Sequence, residues 1–361
     1  MIPLVKVAMP EKSVLLPMLE QVLYSGMIAE GEAVYEFERE FAKAFGLNSV
    51  VAVSSGTAAL HAALTLSGVN PGDEVITTPM TAEPTNTSIL YCGAKAVWAD
   101  VDPASGNIDP QSVRDKITRR TKAILCVHYA GYPVRLRELR KIADQHGLAL
   151  IEDCAHALGA TYEGRSVGLI GDYGIFSFQA IKHMTTVDGG LLTIADPSQL
   201  DAAKRFRWFG MRKGVPRTEV DISSIGYKYN MNNVTATIGL AQLSHINSLV
   251  QRHIDNGRFF DAVFSKTIGV DFARCDPSGS SSYWLYTLLS DHSRELEQLL
   301  VDNGVSASKL HRPNNLHSIF ESASIDLPGL NAFYGRLLHI PCGWWVDEAQ
   351  RQQIAELIQR G

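Results

Sequence analysis

Between Val50 and Thr193, short β-branched runs alternate with helically spaced apolar patterns, and this alternation leaves few architectures open. Five runs read as strands: Val50–Ser54, Glu74–Thr78, Ala123–His128, Ala149–Asp153 and Leu191–Ala195. Several are apolar throughout, as strands buried on both faces must be. The intervening Thr57–Ser67 and Leu136–Gln145 carry helical spacing and stop at Gly68 and near Gly147. The order predicts an α/β fold, a mainly parallel central sheet wrapped by helices. Val34–Phe45 reads as an amphipathic helix before the first strand, with Glu36, Glu38, Arg39, Glu40 and Lys43 on its outer face and Gly46 closing it. Asn232–Val250 reads as one long helix leaving the sheet, after which the elements become shorter and mixed. The expected division is a large domain, 1–245, whose N-terminal segment packs on the smaller C-terminal α+β domain, 246–361.

A chain of 361 residues can bury a pocket. Its formal charge of −5, with Lys and Arg dispersed and no basic tail, argues against nucleic-acid binding. No apolar run reaches the roughly 18 residues that cross a bilayer, and Met1–Lys12 lacks a signal pattern, so a cytoplasmic protein without a membrane partner is expected. Cys92, Cys126, Cys154, Cys275 and Cys342 are odd in number and far apart, which suggests packed, reduced thiols and neither a disulfide framework nor a metal site. Asp276–Ser282 reads as a local loop.

The chemistry concentrates in three places. Phe176-Ser177-Phe178-Gln179-Ala180-Ile181-Lys182 places a lysine among Phe176, Phe178, Ile181 and Met184, before the Gly189-Gly190 pair. Desolvation lowers a lysine's pKa and exposes the neutral amine that attacks a carbonyl, and the serine five positions earlier is suited to hold a phosphate. Ser54-Ser55-Gly56-Thr57-Ala58-Ala59-Leu60 joins a strand to a helix through small residues, where free N–H groups and the helix dipole suit an anion; taken alone it is equally an ordinary cap on Ser55. Ile151-Glu152-Asp153-Cys154-Ala155-His156 ends a buried strand with two acids, at the sheet edge where ligands bind. Asp153 is placed to pair with a protonated ring nitrogen, and His156 to bond a ring hydroxyl.

In the order Gly56, Asp153, Lys182, these elements resemble fold-type-I pyridoxal-phosphate enzymes, of aspartate-aminotransferase-like fold. Four phrases narrow the resemblance to the DegT/StrS-type nucleotide-sugar aminotransferases: SSGTAAL (54–60), EDCAHALGATYEG (152–164), FSF (176–178) with its lysine and later Gly pair, and GYKYNMNNVTATIGLAQL (226–243). The likeness spans about Val34–Val250, with a weaker echo at Trp344-Trp345. It implies pyridoxal 5'-phosphate (PLP) as cofactor, with a pyridoxamine phosphate form in the catalytic cycle. By the same resemblance Lys182 is the Schiff-base lysine and proton carrier, Asp153 the partner of the pyridine nitrogen, and His156 a contact of the ring oxygen. Gly56, Thr57 and Ser177 form the phosphate cradle, and Lys228 reaches the phosphate from the neighbouring subunit of a homodimer.

The resemblance further implies that an amine moves, with glutamate as donor, to a keto sugar carried on a nucleotide, in deoxyamino-sugar supply for polysaccharides or glycosylated metabolites. Alternatives are a keto sugar or cyclitol without a nucleotide, and a regulatory protein that binds PLP without turnover. Three departures from the family pattern stand out. Lys228 and Asn230 replace the frequent Asn and Arg. Ala82 stands where relatives carry a ring-stacking aromatic, leaving Met80 or His128 to cover that face or the pocket wider. His183 adjoins the lysine, and a dehydratase branch replaces the lysine itself with His; with Lys182 present, transamination is expected. Candidate substrate contacts are His311 and Arg312, in a loop loosely matched near the sugar, and Tyr129 with Tyr132 after a strand end. Arg205–Arg217, with Trp208 and Phe209, is a candidate seat for a diphosphate and base, or else a solvated loop.

Overall fold

The computed structural model describes residues 1–320 and 325–361. Its centre is a seven-stranded sheet of β1 (Ser49–Val53), β2 (Glu74–Thr77), β3 (Lys95–Trp98), β4 (Thr121–Val127), β5 (Ala149–Asp153), β8 (Tyr173–Ser177) and β9 (Gly190–Ile194). Between β5 and β8 the chain makes the short strands β6 (Thr161–Tyr162) and β7 (Arg165–Ser166). The spatial order is β1-β9-β8-β5-β4-β2-β3, with β9 antiparallel to both neighbours and the remaining pairings parallel. The expected mainly parallel sheet is therefore present, and the five expected strands fall within two residues of their observed limits.

Two strands carry weak signals in the sequence. β3 is four residues long at the sheet edge, and β8 contains Gly174, a residue that ordinarily weakens a strand. Packing explains that glycine: a Cβ on Gly174 would lie 2.5 Å from the Gly168 Cα.

Two expectations about helices are corrected. The run 232–250 is not one helix: Asn233–Leu243 ends, the chain turns at Ser244-His245, and Ile246–Phe264 begins anew. Both stretches carry helical patterning, so their periodicity alone does not reveal the break. In the helix Glu32–Phe45, Glu38 does not lie on an outer face. It is 8% exposed, accepts the Ala52 N–H at 2.8 Å and pairs with Arg207 at 2.5 Å. Arg207 is 2% exposed, donates also to the Ala52 carbonyl at 2.6 Å and meets Glu30 at 3.0 Å, so one guanidinium pins two segments to β1.

Beyond Phe264 a three-stranded antiparallel sheet forms from β10 (Asp271–Phe272), β12 (Tyr286–Leu289) and β13 (Leu337–Ile340). Helices Ser293–Asp302 and Glu348–Arg360 pack nearby. The 276–282 stretch is not wholly loop, since β11 (Gly279–Ser280) pairs with β6. The first residues join this C-terminal part: Ile2 N–H donates to the Gly304 carbonyl at 2.7 Å, and Trp345 Nε1 donates to the Pro3 carbonyl at 2.9 Å. All five cysteines are free. Among the described residues no helix is long and apolar enough to cross a membrane.

Replacing Arg207 with Met removes the cation between two buried carboxylates and is expected to cost about 3–5 kcal/mol of stability, measured by urea denaturation.

Candidate active site

The carboxyl edge of the sheet opens into a cavity of about 360 Å³, and the three segments singled out in the sequence converge there. Their meeting follows from strand order. Because β9 lies between β1 and β8, Gly190 is registered opposite both Val53 and Ser177. A Cβ on Gly190 would come within 2.6 Å of the Gly56 nitrogen, and one on Gly56 within 2.9 Å of the Ser177 Cβ. Two bare glycines thus let the helix Gly56–Leu66 begin against the end of β8.

At that helix start, Ser55 Oγ accepts the Ala58 N–H at 3.0 Å and the Ser55 carbonyl accepts the Ala59 N–H. The Gly56 and Thr57 N–H groups precede the first intrahelical donor, Ala59, and with the Thr57 and Ser177 hydroxyls in the cavity wall they suit an anion.

Asp153 ends β5, and its carboxylate faces the same cavity at 3% exposure. Its Oδ1 accepts the Ala155 N–H at 3.0 Å and its Oδ2 the Thr85 hydroxyl at 2.8 Å, while Thr85 is hydrogen-bonded to Thr81 at 2.9 Å. Burial raises the Asp153 pKa, against the opposing pull of these bonds and of Lys182. A cation aimed at this carboxylate would offset its desolvation.

Lys182 lies on the connection between β8 and β9, shaped by the Lys182 N–H bond to the Gln179 carbonyl and the Thr186 N–H bond to the Phe178 carbonyl. The side chain is half-buried, and its open part faces the cavity. Burial lowers its pKa to about 8, with Asp153 pulling the other way. The amine is neutral in an appreciable fraction of molecules near neutral pH, as a carbonyl nucleophile must be.

His156 and His311 complete the wall with parallel rings 5.7 Å apart. His156 Nδ1 and His311 Nε2 are buried and without a hydrogen-bond partner among the described residues. Burial holds the His156 pKa well below the usual value, and burial with the nearby Lys182 charge brings that of His311 to about 4. Both are neutral imidazoles at physiological pH, able to donate or accept toward a guest.

Other expectations are revised by the fold. Tyr129 is 2% exposed and does not line the cavity; its hydroxyl bonds His339 Nε2 at 2.9 Å and its ring packs edge-on to His156. Tyr132 is likewise buried. Arg312 is exposed and outside the cavity wall, although adjacent to His311. Neither Met80 nor His128 covers the face beside Ala82: both are fully buried, and His128 is held by Glu152 at 3.1 Å and by the Val134 N–H at 3.2 Å. Pro84 and Glu83 follow Ala82 along the wall.

Trp208 lines a separate cleft of about 200 Å³, and Phe209 is exposed outside the Lys182 cavity. Lys228 is exposed outside that cavity too, bonded to the Asn230 Oδ1, with its ammonium 4.4 Å from the Trp208 ring. His183 points away, to the Ser282 carbonyl at 3.1 Å.

Two contributors went unnoticed in the sequence. Thr85, the partner of Asp153, sits in an unremarkable helix start, and Trp284 lies two residues before β12. Trp284 stacks on His156 at 4.0 Å and lies under Lys182. A signal for Thr85 existed in its spacing of four from Thr81; for Trp284 none did, since only the fold brings it near residue 182.

An amine of lowered pKa, a buried acid, unpaired imidazole nitrogens and a cradle of N–H groups around one cavity fit an aromatic aldehyde that bears a phosphate and a basic ring nitrogen. Fold and site together define a PLP-dependent transaminase of the aspartate-aminotransferase-like type.

The chain belongs to the DegT/DnrJ/EryC1/StrS aminotransferase family, whose model matches residues 11–359. It is 37% identical to the sugar aminotransferase CalS13 from Micromonospora echinospora, with a TM-score of 0.96 and all of both chains covered. It is similar to the putatively assigned sugar aminotransferase Spr1654 from Streptococcus pneumoniae, solved in PLP and PMP forms, at 26% identity and a TM-score of 0.90, over 99% of this chain and 98% or 97% of that one. GDP-perosamine synthase from Vibrio cholerae is 29% identical over 94% of each chain. The protein is accordingly a PLP-dependent aminotransferase of this family.

Because a methyl on Gly56 would crowd the Ser177 Cβ, Gly56→Ala is expected to weaken PLP binding about tenfold or more, about 1.4 kcal/mol, measured by equilibrium titration of the cofactor.

Proposed function

We propose that this aminotransferase takes an amine from glutamate and delivers it to a keto sugar carried on a nucleoside diphosphate, within a homodimer that shares its active sites. The observation that carries the reading is the single cavity joining the Lys182 amine, the Asp153 carboxylate and the Gly56–Ser177 cradle. Bound PLP supplies an aldehyde for amine exchange and an electron-poor ring that stabilises a neighbouring carbanion.

The chain's own residues provide the rest. The Gly56 and Thr57 N–H groups with the Ser177 hydroxyl hold the phosphate. Asp153, braced by Thr85, keeps the proton on the ring nitrogen, because a buried carboxylate is best compensated by a cation. His156 Nδ1 has no other partner and serves the ring oxygen. Lys182 Nζ, with a pKa of about 8, takes and returns the proton that moves between substrate carbon and cofactor carbon, once its amine is free. His311 faces the entering sugar and offers its unpaired Nε2 to a hydroxyl.

Two observations support the dimer. Among the described residues lining the cavity, Lys182 is the only lysine or arginine, so the phosphate lacks a dedicated cation within one chain. Lys228 of the partner subunit answers that need. Apolar residues are also exposed near the N-terminus and before Lys228: Leu23 51%, Met27 64%, Ile28 52%, Ile222 56% and Ile225 78%. The nucleotide is supported by the likeness to GDP-perosamine synthase, named for a sugar carried on GDP.

Lys182→Ala is expected to abolish both turnover and the visible absorption band of the cofactor-loaded protein, while leaving the fold intact by circular dichroism. A band retained at wild-type intensity would remove Lys182 from its role. Since burial makes the amine lose its proton earlier than an ordinary lysine, the rate of PLP capture should rise about tenfold per pH unit below about 8 and level off above it. Stopped-flow absorbance across that range checks the sign and the midpoint.

For substrate class, one nucleoside diphosphate among GDP, UDP and dTDP should raise the thermal midpoint of the loaded enzyme, stabilising it by about 2.7 kcal/mol at a hundredfold excess over Kd. A shift by free keto sugars or cyclitols alone would favour a substrate without a nucleotide, and cofactor capture without turnover of any donor would favour a regulatory role.

A further inference from the structure

Trp284 does not itself line the cavity, yet it touches two residues that do, Lys182 and His156. It is 2% exposed and arrives from the C-terminal sheet, immediately before β12. Its Nε1–H donates to the Ile181 carbonyl at 2.9 Å, the peptide group that leads into Lys182. Its ring centroid lies 4.2 Å from Lys182 Nζ. The same indole stacks on His156, 4.0 Å between centroids and 19° from parallel. One rigid side chain thus touches the backbone and the amine of the lysine, and the neighbouring imidazole.

The charges around the amine leave room for such a partner. Asp153 faces it from β5, but on the reading above that carboxylate, held by Ala155 and Thr85, is kept for a protonated ring nitrogen. His156 and His311 share the wall with it as neutral rings, His183 is turned away to the Ser282 carbonyl, and Asp188 and Glu83 also line the wall. An indole face attracts an ammonium without requiring a counter-charge or a hydrogen-bond acceptor. It therefore steadies the protonated amine without competing with the Asp153 carboxylate for a ring cation.

We propose that Trp284 is a positioning residue for Lys182: its ring is the platform on which the free ammonium rests, and its N–H fixes the peptide that carries the lysine. The inference rests on the reading of Lys182 as the amine that captures the cofactor. When that amine is released it stays over the indole, within reach of the reacting carbons, instead of swinging toward the cavity mouth.

The test uses the full-length chain stripped of cofactor and exposed to pyridoxal 5'-phosphate. The neutral amine's lone pair adds to the aldehyde carbon, one water leaves, and the visible band reports the rate. The pH midpoint of that rate is measured for the wild type, Trp284→Phe, Trp284→Leu, and the wild-type sequence grown with difluorinated tryptophan. Fluorination withdraws charge from the ring face and leaves its shape nearly unchanged.

An ammonium stabilised by the ring holds its proton to higher pH, so losing that attraction lowers the midpoint. A fall of about half to one pH unit is expected for Leu and for the fluorinated protein, and a smaller fall for Phe. Tryptophan that merely fills space would alter the extent of capture or the thermal midpoint and leave the pH midpoint in place. If Leu prevents folding, the fluorinated protein decides; an unmoved or raised midpoint there overturns the proposal. Capture by Lys182→Ala at the wild-type rate would instead overturn the reading of Lys182 itself, which separates the two failures.

Discussion

The site depends on a close approach of backbones that only glycine permits. β9 runs between β1 and β8, and at its first residue Gly190 the three strands converge with the start of the helix Gly56–Leu66. With side chains at Gly56 and Gly190, steric overlap would push the helix away from β8, and the Gly56 and Thr57 N–H groups would no longer share a wall with Ser177. The same register sets the ends of the loop that carries Lys182, because it leaves β8 at Ser177 and re-enters the sheet at Gly190. The N–H groups at the helix start and the Lys182 amine are thus brought to one cavity by a single packing arrangement.

A second constraint comes from the C-terminal part, which closes the cavity with residues distant in sequence. Asn314 is fully buried; its side-chain amide donates to the Thr81 carbonyl at 2.9 Å and accepts from Asn86 at 2.8 Å, and its backbone N–H donates to the Pro79 carbonyl at 2.8 Å. Asn86 in turn accepts from Thr77 at the end of β2. This chain of buried amides is satisfied at each step, so it fixes geometry where an unsatisfied group would cost stability. It clamps the loop bearing His311 against the segment bearing Ala82, Glu83 and Pro84. Gly131 does a similar service, since its carbonyl accepts from the Ser282 N–H and the Ser281 hydroxyl, and the chain runs directly on to Trp284. These parts of the cavity wall therefore ride on a polar network and not on apolar contact alone.

What the sequence made legible was what is local. Strand runs, the glycine-flanked lysine and the strand-end acids are each written within a few residues, and their order along the chain located the family. What escaped depends on distance. Trp284 approaches residue 182 only because β6 pairs with β11 and the preceding turn meets Gly131. Tyr129 was drawn to the crevice by its position after a strand end, yet the following turn folds it inward onto His339. Glu38 looked like a surface charge because its neighbours are; its partner Arg207 lies 169 residues away. The break between the helices 233–243 and 246–264 escaped because neither glycine nor proline marks it.

The adjacent acids Glu152 and Asp153 show how one strand divides structural from chemical work. Successive residues of a strand point to opposite faces, so two carboxylates joined by one peptide bond meet different surroundings. Burial alone would raise the pKa of both. For Glu152 it is outweighed by His128 and by the N–H groups of Gly168, Ile170 and Gly171, which hold its carboxyl below the usual range. That side chain is saturated: each oxygen is taken, and its task is to pin the 168–171 loop against the sheet. The same saturation leaves the buried His128, Glu152 and Cys154 group with little to offer a metal ion, although their ligand atoms lie within 4.8 Å of one another. Asp153 has only two donors, and burial prevails, leaving its carboxyl above the usual range. An under-compensated carboxylate at a cavity wall is costly in the empty chain and becomes favourable when a cation binds, so the shortfall in its hydrogen bonds is itself a source of affinity for a protonated ring.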